Sequence, residues 1–223
     1  MENHLFAKGI VAFWRLFLLN SCFLISNLLL ISSLLIIRLR FITAPVYLLG
    51  MVLTFPAFQA LLLTIKRSKI DISIGKLYLC CYGEVFKESC LLAGGYLIIF
   101  SVLLINLFGV SFVYHFQLLI PLYLLLIILA IIHLLFSLLI RVNLKISVKD
   151  TLRLACYIII KYPLYGIRVV IFLIGGYMIV MIAPQLSIWI VAPLLGKCLL
   201  ASTDQLFEKI LNQLKEVQEV RIV

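Results

Sequence analysis

The chain has 223 residues, of which 65% are hydrophobic and only 13% charged, with a formal net charge of +10 and a mean hydropathy of +1.24. A typical soluble domain carries about 25% charged residues, so a water-soluble fold is excluded. The class is all-α, a polytopic membrane helix bundle held together by packing in lipid.

The first charge-free run, 16–37, has 22 residues. A crossing needs roughly 20 apolar residues to cover about 30 Å of hydrocarbon, so this run is one span. It is much longer than a signal-peptide core and meets Arg38 and Arg40 without a small-residue cleavage site, so it is expected to stay as the first helix. The second run, 41–65, is the second span. It opens into a basic loop, 66–88, carrying Lys66, Arg67, Lys69, Lys76 and Lys87.

The third run, 89–140, has 52 residues and reads as two spans turning near Gly109–Gln117. A second basic loop, 141–168, follows. Within it Ser147-x-x-Asp150 precedes Leu152, Leu154, Ala155, Tyr157 and Ile158, a capping box opening a helix with one apolar and one basic face. Such a helix is expected to lie along the headgroups or to serve as a coupling surface. The last run, 169–196, is split by Pro184 and reads as two short helices, about 164–183 and 185–201.

The transmembrane domain is thus 1–201, and 202–223 is expected to form an amphipathic tail helix. Leu206, Phe207, Ile210, Leu211, Leu214 and Val217 share one face of that helix. Its mixed charge points to docking on protein, with Leu206, Ile210 and Leu214 as candidate partner contacts. The other reading is a helix covering the protein's own inner face.

Six spans place 17 of the 19 basic residues on one side, with only Arg38 and Arg40 opposite. The positive-inside rule makes that side cytoplasmic, with both termini on it and short interfacial helices joining the spans. The plasma membrane is the expected location. Because the basic residues are scattered at span ends, the partner they imply is anionic lipid rather than nucleic acid.

A weak parallel repeat relates 60–100 to 136–181. Ile72-Ser73-Ile74 and Leu77-Tyr78-Leu79-Cys80-Cys81-Tyr82 match Ile146-Ser147-Val148 and Leu152-Arg153-Leu154-Ala155-Cys156-Tyr157, while Gly94-Gly95-Tyr96 matches Gly175-Gly176-Tyr177. Each unit would be a span, a short basic cytoplasmic helix lying along the interface and a following span opened by Gly-Gly.

Chemistry inside a bilayer announces itself through ionisable groups, which are costly there unless paired or facing a cavity. None of the charged residues falls near the middle of a span. The intramembrane polar set is Asn20, Asn27, Gln59, Asn106 and His133, side chains that commonly bridge helices at about 1 kcal/mol each. A Walker loop, a G-x-S-x-G elbow and an H-E-x-x-H run are absent, and Cys80-Cys81 lacks C-x-x-C spacing. No catalytic residue, cofactor or metal is therefore expected.

Trp14 with Leu16 and Leu19-Asn20, Phe55-Pro56-Ala57 with Leu61-Leu62-Leu63, Glu84-Val85-Phe86-Lys87 and a closing Ala192-Pro193-Leu194-Leu195 together resemble the YesL-like family of bacterial membrane proteins. The resemblance implies an accessory subunit of a carbohydrate ABC importer, with ABC transporter subunits as partners. Two alternatives remain: a transporter moving a small solute itself, or a substrate-binding subunit. The small-residue ladder of energy-coupling-factor binding subunits is absent from Leu16–Ile37, and neither basic loop carries an E-A-A-type coupling motif.

Overall fold

The computed structural model describes residues 2–36, 44–68, 73–109, 119–144 and 146–220, and every element among them is helical. The helices are α1 (Glu2–Ser26), α2 (Leu28–Ile36), α3 (Ala44–Arg67), α4 (Ile74–Phe108), α5 (Ile120–Asn143), α6 (Val148–Lys161), α7 (Pro163–Ile182) and α8 (Pro184–Val220). Six of these, α1, α3, α4, α5, α7 and α8, are long and apolar enough to cross a membrane. The protein is therefore a multi-pass membrane helix bundle. The turn expected near Gly109–Gln117 lies mostly outside the described residues.

Local chemistry sets the breaks. At Asn27 the backbone N–H is shared between the carbonyls of Phe23 and Leu24, both at 3.1 Å. The Asn27 side chain donates to the Phe23 carbonyl at 2.8 Å. An amide competing with its own helix ladder interrupts it for one residue, which divides the expected first span into α1 and α2. Two other breaks share a different device. Tyr162 (φ −128°, ψ 58°) precedes Pro163, and Ala183 (φ −136°, ψ 68°) precedes Pro184. The ring of a proline pushes the residue before it out of the α region while suiting the first turn of the next helix.

The helices outrun the charge-free runs at the basic end. α1 begins fourteen residues before Leu16, and α4 begins at Ile74, well ahead of Ser89. The separate interfacial helix expected in 66–88 is therefore corrected. Its residues are the first four turns of α4, with 35 residues and about 52 Å of helix at 1.5 Å per residue. α8 runs unbroken across 201/202, so the expected tail continues the last span as one helix.

The core sits toward this basic end. Ala60–Leu63 of α3, Tyr78 and Cys81 of α4, Phe136, Leu139 and Ile140 of α5, Ala155 and Ile158 of α6, and Leu199, Leu206 and Phe207 of α8 form one buried cluster. Toward the far end, Ile98, Ile105 and Phe108 of α4 and Leu122 and Leu125 of α5 are exposed, as lipid-facing side chains should be. Two glycines permit close approach. A Cβ on Gly176 would lie 2.7 Å from a Leu195 methyl, and one on Gly196 would lie 2.8 Å from Leu61 and 3.0 Å from Ile65. These are the positions where α7 meets α8 and α8 meets α3.

Candidate functional site

His133 lies eight residues before Arg141 on α5, about 12 Å deeper into the bundle. Its Nδ1 is 2.5 Å from the Tyr96 hydroxyl of α4, and its Nε2 is 3.2 Å from the Leu152 carbonyl and 3.1 Å from Cys156 Sγ, both of α6. A carbonyl only accepts, so Nε2 carries the hydrogen and Nδ1 accepts from Tyr96. The Ser137 hydroxyl, 2.8 Å from both the Tyr96 oxygen and the His133 carbonyl, completes the cluster. With Nε2 protonated, the nitrogen that faces Cys156 has no lone pair with which to take its proton. The arrangement is a clamp joining α4, α5 and α6.

The clamp also fixes which face of α6 meets the bundle. Through Leu152 and Cys156, which meet His133, and through the buried Thr151, Ala155 and Ile158, one face of α6 packs against the bundle. The capping box is present: Ser147 Oγ accepts from the Asp150 N–H at 3.2 Å and donates to its carboxylate at 2.6 Å. At the other end Lys161 lies 4.9 Å above the Tyr157 ring and bonds its hydroxyl, which raises the pKa of that ammonium.

The remaining polar residues separate. Gln59 is buried, and its amide oxygen accepts from the Ser89 hydroxyl, joining α3 to α4. Asn20 is buried and engaged. Asn27 and Asn106 bond within their own helices: Asn27 at the α1–α2 break and Asn106 to the Val102 carbonyl at 2.9 Å on an exposed turn. These two are local contacts and not bridges between helices. Leu206 is 0% and Ile210 4% exposed. Both are packed into this chain's own core beside Phe207, so they leave no free face for a partner. Of the two tail readings, the structure takes the intramolecular one at these positions. Leu214 belongs to α8, but its side chain lies outside the described residues.

Sequence reasoning missed two ion pairs at the basic end. Arg67 grips Glu84 with two nitrogens, at 2.5 and 3.0 Å, and Arg141 pairs with Glu88. The signal for the second was present. Glu88 and Arg141 bound the 89–140 run on either side, and a hairpin of two spans brings its ends together.

The fold and these clamps define a helical membrane protein with polar junctions at its basic end. Searches of family models, curated proteins and solved structures return no match.

Proposed function

We propose that the protein is a non-catalytic subunit that works by contact with another protein in the membrane. The observation that carries this reading is a stripe along α7. Leu164, Ile167, Ile171 and Ile174 are each more than half exposed and recur at spacings of three and four residues, and beyond Gly176 the exposure widens to Tyr177, Met181 and Ile182. The opposite face, through Gly166, Val169 and Gly176, is buried in the bundle. Both ring nitrogens of His133 are engaged within the clamp, which argues against chemistry there.

The YesL-like resemblance makes a carbohydrate ABC importer in the plasma membrane the partner of choice. The basic end would then face the cytoplasm, with Lys76, Lys149 and Arg153 meeting anionic lipid at about 1 kcal/mol per charge.

Photo-crosslinking residues placed at Ile167 and Ile174 in cells should trap a protein, and affinity purification in mild detergent should recover ABC subunits. The same residue at Ile105 on α4 should trap lipid alone. Lipid adducts at all three positions, or solute flux by the purified protein alone in liposomes, would overturn the reading.

A further inference from the structure

Two adjoining cavities of about 330 and 320 Å³ form a groove between α4, α5 and α6. They share Tyr96, Ile99, His133 and Cys156 as walls. Leu91, Leu129 and Ile160 line it as well and are exposed, so the groove opens sideways to lipid. From Leu91 to Ile99 it follows α4 for about 12 Å, most of the roughly 15 Å that one leaflet contributes to a hydrocarbon core of about 30 Å. The polar atoms along its floor are already engaged. The Tyr96 hydroxyl, both His133 nitrogens and Cys156 bond one another or the Leu152 carbonyl. A polar solute gains little on such walls, whereas an alkyl chain leaves no polar group unpaired.

Charge is confined to one end. Arg153 is the single charged residue among the walls of the two cavities, and it lines the end that also holds Leu91 and Leu92. It is exposed and takes part in no ion pair among the described residues. Lys87 lies one turn before Leu91 on α4, and Lys149 one turn before Arg153 on α6; both are exposed. The carboxylates nearby are Asp150, which Ser147 holds, Glu88, paired with Arg141, and Glu84, paired with Arg67. Three unpaired cations against the one carboxylate of Asp150 leave this mouth positive. Lys145, in the link ahead of α6, adds a further positive charge in the sequence, and Lys161, at the other end of α6, bonds Tyr157. A headgroup bearing an ammonium sets a like charge against these cations, whereas one with a single net negative charge complements them. We propose that the groove is a binding site for one anionic phospholipid of the phosphatidylglycerol class, with an acyl chain along α4 and α6 and its phosphate on Arg153. The long arginine stem carries the charge to headgroup level. The proposal sharpens the general contact between the basic end and anionic lipid into one site, and it requires no protein partner.

The test uses the full chain, purified in detergent and stripped of lipid, with native mass spectrometry during titration by phosphatidylglycerol or phosphatidylethanolamine of the same acyl chains. Phosphatidylglycerol should give a saturable single-lipid adduct at a concentration about fivefold lower than phosphatidylethanolamine. Arg153→Gln should weaken that adduct by about fivefold, the equivalent of about 1 kcal/mol for one charge. Nothing lies within 4 Å of a Cβ on Gly95, another wall of the groove, so Gly95→Leu fills the groove without changing charge and should abolish the adduct. Lys197→Gln removes an exposed cation of α8 that lines neither cavity and should leave the adduct unchanged. Equal binding of the two lipids, or an adduct that either Arg153→Gln or Gly95→Leu leaves intact, would overturn the site. So would a loss at Lys197→Gln as large as that at Arg153→Gln, which would reduce the effect to diffuse attraction of lipid by the basic end.

Discussion

The segments from Ser73 to Gly95 and from Ser147 to Gly176 share sequence, yet they fold differently. In the first, the amphipathic stretch and the span are one helix, α4. In the second they are two, α6 and α7, divided at Tyr162-Pro163. Twelve residues separate Tyr82 from Gly94, whereas eighteen separate Tyr157 from Gly175. The longer interval contains Pro163, and its extra length lets the chain turn. α6 is thereby free to fold against α5 and meet His133, while the same stretch of α4 is committed to a straight path beside α3. Similar sequence sets similar helix faces. One proline and the length next to it decide whether those faces share an axis.

The sharpest way to break the contrast is to give α4 the proline. Lys87 is exposed on α4 and takes no part in either ion pair. Lys87→Pro should cost about 3 kcal/mol or more by removing a ladder bond and clashing with the preceding turn. Unfolding in a graded denaturing detergent would measure it, and a loss below about 1 kcal/mol would mean that α4 tolerates the same division as α6 and α7.

The matched glycines give a smaller, signed difference. Gly176→Ala drives a methyl into Leu195 and should cost about 1–3 kcal/mol. Nothing lies within 4 Å of a Cβ on Gly94, so Gly94→Ala should be neutral or stabilise by up to about 1 kcal/mol. Equal losses at the two positions would show that both glycines pack.

The smallest expected difference lies at the matched serines. Ser147 caps α6 through its side chain, whereas the Ser73 side chain makes no cap bond to α4. Ser147→Ala should cost about 1 kcal/mol and Ser73→Ala only a few tenths, measured in the same unfolding assay.

The helical class and the six crossings were legible because hydrocarbon excludes charge, and runs free of charge mark the slab. Helix ends were not legible from those runs. Lys76 and Lys87 mark where lipid stops, but a helix continues into water wherever its apolar face finds a core, as Tyr78 and Val85 do. At the site, His133 and Gln59 stood out as polar residues in apolar surroundings. Their partners Tyr96, Cys156 and Ser89 did not, because the depth at which α6 packs and the rotation of α4 are tertiary properties. The tail's apolar face was readable from its period, but a period cannot say whose surface covers it.

That covered tail sets an order on biosynthesis. Leu199, Leu206, Phe207 and Ile210 complete the core shared by α1, α3, α4 and α5, yet α8, which carries them, follows all four in the chain. The earlier spans can enter the membrane one after another during translation. The basic end stays open until α8 has been made, so closure of the core there follows the entry of the earlier spans.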